Sequence, residues 1–197
     1  MKEPYFKPWK GKNYRATKFL ILSESAYSWP SEDGKVHTPR RSHPKDSVLW
    51  SFEASGKVPQ YFTRMSWALC GTKTPTPRQR KEAWNDYAFT IFVQRSVGLS
   101  AASKHTRKQF EDAGPHFLAL IEKIRPLKVI VTGKDLWNGM PDTAVTRRGR
   151  GAYRLSDGTL VWCLAVPHPA NRTEGFNWKR VSKSILRFRS AKLPLRN

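Results

Sequence analysis

The chain has 197 residues, 39% of them hydrophobic and 26% charged, enough apolar material for one folded domain and too much for a disordered chain. Lys and Arg number 36 against 15 Asp and Glu, a net charge of +21, and an excess that repels itself in the compact state points to a polyanionic partner, nucleic acid first. With no long apolar span and no basic amphipathic helix at its start, the chain is a poor candidate for a membrane surface.

In chain order, residues 1–16 are a basic arm in which Lys2, Lys7, Lys10, Lys12 and Arg15 alternate with Tyr5, Phe6, Trp9 and Tyr14. Such interleaving suits a segment that tracks a nucleic-acid strand and equally a tail packed across the body. No leader is visible in this arm, so the chain reads as intracellular and reduced, associated with the nucleoid. Lys18-Phe-Leu-Ile-Leu22 is a short apolar run of the kind found in a central parallel strand. Ser23-Glu-Ser-Ala-Tyr-Ser-Trp-Pro30 follows, small hydroxyls and a carboxylate at a strand's carboxyl end. Glu24 there either caps a following helix or enters a pocket walled by Tyr27 and Trp29. Residues 31–77 are rich in basic and loop-forming types, with a basic cluster at Arg40-Arg41, and short helices are expected around 46–54 and 59–69.

Thr76 to about Arg95 reads as a helix, with Trp84, Tyr87, Ala88, Ile91 and Phe92 at helical spacing. A second helix is expected after Ser103 to about Ile124, with a kink or break at Gly114-Pro115. Lys128-Val-Ile-Val-Thr132 is a second buried strand, turning at Gly133 into a short helix that ends near Gly139. This strand–helix–strand rhythm predicts a parallel sheet with right-handed crossovers. Thr146-Arg-Arg-Gly-Arg150 is a basic loop, and Tyr153-Arg-Leu155 and Thr159 onward flank Ser156-Asp-Gly158, a hairpin signal, so the next strand is expected to carry a short antiparallel partner. That strand, Leu160-Val-Trp-Cys-Leu-Ala-Val166, includes Cys163 as a small buried hydrophobe. A last helix is expected from about Phe176 to Phe188, and a basic tail follows over 189–197.

The strand ends in Pro167-His-Pro169. Two prolines fix φ and stop the ladder, so His168 is held at a strand's carboxyl end, the edge where open α/β sheets bind ligands. An isolated histidine there is as well read as a turn cap, and the second constellation around Glu24 is what gives it chemical meaning. A metal-dependent nuclease would need clustered carboxylates; the close pairs are Glu32-Asp33 and Glu111-Asp112, on expected surface positions.

The order of these parts resembles the uracil-DNA glycosylase superfamily, in particular its outlying members whose first motif reads roughly Gly-Glu-Ser-His-Tyr. Ser23-Glu-Ser-Ala-Tyr27 is the local version, Trp84 to Gln94 stands where the family has its helical motif, and His168-Pro-Ala170 is similar to His-Pro-Ser. The likeness spans about residues 17–188. It implies a single three-layer α/β/α domain, with a four-stranded, mainly parallel sheet and a flipped nucleotide held in a pocket at the sheet's carboxyl edge, a cavity on which Glu24 and His168 should converge. By motif, Glu24 and His168 would be catalytic, the first positioning water and the second stabilising charge on the departing base. Ser23, Ser25, Tyr27, Trp29, Phe89 and Thr90 would line the base pocket. Asn171 and Arg172 stand where the family enters the minor groove, and Arg147, Arg148, Arg40 and Arg41 would meet phosphates. Ser23 and Ala26 replace a glycine and a histidine of the outlying motif, and Thr90-Ile91 stands where relatives carry a base-reading asparagine. The expected function is a DNA glycosylase acting on uracil or another altered base, the alternative a non-catalytic nucleic-acid-binding module. The expected partner is DNA of either strand state, with RNA next, bound by a monomer without cofactor or metal.

Overall fold

The computed structural model describes residues 5–31, 33–52, 58–99, 105–147, 150–171 and 175–194, of residue 147 the main chain alone. From the N-terminus these residues form β1 (Trp9–Lys10), α1 (Tyr14–Thr17), β2 (Phe19–Ser23), β3 (Trp29–Pro30), β4 (Val36–His37) and α2 (His43–Trp50). There follow α3 (Gln60–Cys70), α4 (Pro77–Trp84), β5 (Tyr87–Ile91), α5 (Arg107–Ile124), β6 (Lys128–Thr132) and α6 (Lys134–Gly139). β7 (Val145–Arg147), β8 (Arg150–Arg154), β9 (Leu160–Val166) and α7 (Trp178–Ser190) complete the order.

The protein is mixed α/β, built on a seven-stranded sheet in the order β1-β5-β2-β6-β9-β8-β7, while β3 and β4 form a separate two-stranded ribbon. β5, β2, β6 and β9 run parallel, and β1, β8 and β7 add antiparallel pairings at the two sides. The expected four-stranded sheet is thus the parallel middle of a wider one. The additional strands are short: β1 lies in the basic arm, β7 and the start of β8 fall in the stretch read as a basic loop, and β8 as it passes through Tyr153 is the short antiparallel partner expected beside the His168 strand. The hairpin at Ser156-Asp-Gly158 forms as expected, with Gly158 at φ 83° and Leu155 N–H donating to Thr159 O at 2.8 Å.

The expected helix from Thr76 to Arg95 is two elements. α4 opens on a capping box at Thr76 and Gln79 and stops at Trp84. Asn85-Asp86 turns the chain, and Tyr-Ala-Phe-Thr-Ile91 becomes the wholly buried strand β5. Its apolar residues meet both the helical spacing and the continuous run of a covered strand, and periodicity alone does not separate the two. Pairing decides it: β5 is hydrogen-bonded to β2 along its full length and to β1 on its other side. α5 runs unbroken through Pro115. The helices expected around 46–54 and 59–69 are α2 and α3.

Strand residues alternate between two cores. Ile21, Phe89, Ile91, Ile130 and Trp162 face one side with Tyr61, Phe62 and Met65 of α3, Trp84 of α4 and Val181, Ile185 and Phe188 of α7. Leu20, Leu22, Ala88, Val129, Val131 and Cys163 face the other with Phe110, Phe117, Leu120 and Ile121 of α5. Helices therefore cover both faces, which explains why the parallel strands read as unbroken apolar runs. Burial pushes the Cys163 thiol up, as expected of a cysteine acting as a hydrophobe.

The basic arm packs across the body. Phe6 is fully buried and donates its N–H to Gln94 Oε1 at 2.9 Å, and Trp9 pairs with Phe89 in register. A Cβ on Gly11 would lie 2.3 Å from the carbonyl oxygen of Asn85, so only glycine admits this close approach. At the other end, Lys128 Nζ donates to the carbonyls of Phe188, Arg189 and Ala191 at 2.7–3.0 Å, neutralising the C-terminal end of α7. Arg189 reaches Asp86 at 2.8 Å and the Tyr87 hydroxyl at 3.1 Å. The last helix is thereby pinned to the start of β5.

Candidate active site at the carboxyl edge of the sheet

Because β5, β2, β6 and β9 are parallel, their carboxyl ends share one edge. Register places Leu22 beside Val131 and Val131 beside Ala165. Glu24 and His168 leave this edge from strands separated by β6 alone, about 10 Å at two strand spacings. The segment after β2 is not loose. Phe92 and Val93 donate to Ser23 O and Glu24 O at 2.8 and 2.9 Å, and Val97 to Ala26 O at 3.1 Å. The chain after β5 so extends the parallel pairing past the strand ends and holds Glu24 in place.

His168 is fixed from three sides. Its Nδ1 accepts the backbone N–H of Ala170 at 3.2 Å and of Asn171 at 3.1 Å. A ring nitrogen that accepts carries no proton, so the ring's proton is on Nε2, which is a donor. The ring lies against Tyr61, with centroids 5.5 Å apart. On a third side lies Gly133 at the end of β6, in a backbone conformation, φ 131°, that side chains rarely adopt; a Cβ there would sit in ordinary contact, 3.6 Å, with His168 Cβ and Cδ2. Arg64 Nη1 donates to Pro169 O at 3.0 Å and braces the turn. Beneath it the Tyr61 hydroxyl meets Thr132 Oγ1 at 3.0 Å, and Thr132 donates to Leu22 O at 2.9 Å. Burial holds the Tyr61 phenol well above its ordinary range, so it stays a neutral hydroxyl at the base of the site.

Glu24 has a partner that the sequence reading missed. His105 Nδ1 lies 2.9 Å from Glu24 Oε1, with both side chains about four-fifths buried (23% and 18% exposed). A carboxylate oxygen only accepts, so His105 donates from Nδ1. The imidazole lies against Phe110, ring centres 3.9 Å apart and planes tilted by 45°, in the core layer of Leu22 and Val131, whereas His168 packs on Tyr61 in the opposite layer. The two expected catalytic groups therefore share the edge but are anchored in different layers, one on each side of the sheet. The signal for His105 was positional: it directly precedes the Thr106–Gln109 capping box of α5, the crossover helix that starts at this edge.

The other expected residues divide. Ser23 is buried at the end of β2, and Ser25 Oγ lies 3.5 Å from the Tyr27 hydroxyl, both half-buried. Trp29 is 48% exposed and stacks on His37. Phe89 and Thr90 are sealed inside β5 at 2% and 0% exposure. Phe89 packs among Tyr61, Phe62 and Trp84, and both belong to the core rather than to an open pocket. Thr90 Oγ1 is a buried hydroxyl with no hydrogen-bond partner among the described residues. Asn171 is at the His168 turn, its N–H on Nδ1. Arg40 is exposed, and Arg41 donates to Tyr5 O at 3.2 Å. Arg147 lies on β7 with its side chain outside the described residues, as are Arg148 and Arg172.

Among the described residues no group of three or more His, Cys, Asp or Glu is placed to hold a metal ion, and no helix is long and apolar enough to cross a membrane. Two surface grooves, of about 700 and 400 Å³, lie outside the Glu24–His168 edge, one between α3 and α7 and one at the opposite edge beside α1 and the end of α5. No protein-family model matches this chain, and no curated protein shows significant similarity to it.

Proposed function

We propose that this chain binds nucleic acid and hydrolyses the N-glycosidic bond of uracil or another deaminated or modified base, on a three-layer frame of the uracil-DNA glycosylase type. The observation that carries the reading is the His168 ring, held by two backbone N–H groups as an Nε2–H donor at the edge from which Glu24 also emerges. Breaking the bond between C1′ and the base nitrogen leaves negative charge on the base and cation-like character on the sugar. A preorganised donor at a base oxygen favours the first, and a carboxylate beside the sugar favours the second while orienting water. Water supplies hydroxide to C1′, and its remaining proton goes to the departing base. His105 holds one oxygen of the Glu24 carboxylate, which fixes the plane of the group. The charge of +21 supplies the phosphate contacts that offset the few kcal/mol needed to flip a base.

A second reading, binding without cleavage, draws on one observation. Thr90 and Ile91 are buried in β5 at 0% and 3% exposure, so neither offers the base edge the amide that relatives place there. One assay separates the two. Single- and double-stranded oligonucleotides with uracil, hypoxanthine or xanthine are incubated with the protein, treated with alkali and examined for scission. Scission at one altered base is the expected result. Salt-sensitive binding with no abasic product would establish the second reading, and absence of any binding would end both.

A further inference from the structure

The groove between the C-terminal end of α3 and the N-terminal end of α7 has a volume of about 700 Å³ and is lined by three aromatic and three cationic side chains. The aromatics are Trp67, Phe176 and Trp178, all half-buried, and the cations are Arg64, Lys73 and Lys179; no described lining residue is acidic. Local chain geometry makes the groove. α3 ends at Gly71 in the left-handed conformation, φ 70°, and the chain turns through Thr72 to Thr74 along one wall. Asn177 caps α7 by accepting from Arg180 N–H at 3.1 Å, which sets Trp178 at the first turn on the other wall.

The two tryptophans are not simply core. Lys73 Nζ stands 5.9 Å from the Trp67 ring centre and Lys179 Nζ 5.7 Å from that of Trp178. A ring face that holds an ammonium group at this distance is also wide enough for a base. Beyond the groove, Lys179, Lys183 and Arg187 recur every four residues along the exposed side of α7, a row of cations stepping about 6 Å at each repeat. The groove also adjoins the catalytic turn, since Arg64 lines it and donates to Pro169 O.

We infer that this groove holds a single-stranded stretch of nucleic acid flanking the nucleotide at His168, with bases stacked on Trp67 and Trp178 and phosphates against Arg64, Lys73 and Lys179. On binding, each lysine leaves its ring for a phosphate and a base takes the ring face. The inference rests on the nucleic-acid part of the proposed function and is independent of cleavage. Stacking is tolerant of sequence because every base has a flat face, so the groove sets strand state and direction of approach rather than base identity.

The test is anisotropy of a fluorescein-labelled oligothymidylate with the full-length protein, alongside a duplex of the same length. Trp67→Ala and Trp178→Ala should each weaken single-strand binding about tenfold, with the duplex affected less. The combined change Lys73→Glu and Lys179→Glu should lower affinity further and flatten its salt dependence. Trp178→Phe retains a stacking surface and should bind nearly as well as the parent, which separates stacking from loss of fold. Parent-like single-strand binding by both alanine variants would overturn the groove while leaving the proposed function standing. Tighter binding of duplex than of single strand would do the same, and failure of the parent to bind any polynucleotide would remove both.

Discussion

On the proposed function, replacing His168 by alanine should lower the rate of base release by about 10²–10³, the usual cost of removing one preorganised donor from a developing oxyanion. The same change also strips an acceptor from the N–H groups of Ala170 and Asn171, so lost activity alone would not distinguish lost chemistry from a loosened turn. His168→Asn makes that distinction. Its side-chain oxygen can accept the N–H groups two and three residues on, as short polar side chains commonly do in turns, yet nothing replaces the distal Nε2–H. The asparagine variant should therefore melt like the parent and be as inactive as the alanine variant. Activity regained with asparagine would mean that the histidine serves the turn alone.

Trp84→Ala should cost about 3–5 kcal/mol of stability, the range for deleting a large buried aromatic. Trp84 is fully buried, and its ring lies 5.7 Å from Phe62, 5.8 Å from Phe89 and 6.4 Å from Trp9. It thus joins α3, β5 and the N-terminal arm in one cluster. Its indole N–H donates to Ser66 Oγ at 3.0 Å, so truncation also leaves a buried hydroxyl without its donor, adding about 1 kcal/mol. A domain of ordinary stability, about 5–15 kcal/mol, would lose a large part of it, and the melting temperature should fall by about 10 °C or more. Trp84→Phe preserves most of the apolar volume and should lose much less. Denaturant titration measures both, and a loss below about 1 kcal/mol in the alanine variant would show that the cluster is not the keystone described.

The parallel strands were legible in the sequence because burial on both faces demands unbroken apolar runs, and the Lys18–Leu22, Lys128–Thr132 and Leu160–Val166 runs each gave a strand. The strand Tyr87–Ile91 was not, because an apolar run of its length fits the face of a helix as well. What makes it a strand is β2 on one side and the arm on the other, contacts that no local pattern encodes. The edge strands β1 and β7 were hidden for a related reason, since two or three residues among lysines and arginines carry no period. At the site, His168 and Glu24 were visible because each follows an apolar run at its carboxyl end. Their supports were not. His105 is 81 residues from Glu24, Tyr61 is 71 from Thr132 and Arg64 is 105 from Pro169, so chain crossover alone brings them together. Thr90 was misplaced with its strand: once Tyr87–Ile91 is central in the sheet, its hydroxyl is enclosed rather than presented.

The proposed chemistry turns on one proton. Nitrogen-15 chemical shifts of the His168 ring, assigned by comparison with His168→Asn, report directly which nitrogen carries it at neutral pH. The prediction is a neutral ring protonated at Nε2, with Nδ1 shifted as an acceptor of backbone N–H bonds and this state persisting when single-stranded DNA is bound. A ring protonated at Nδ1, or an imidazolium with both nitrogens protonated, would contradict the arrangement from which the proposed chemistry is drawn.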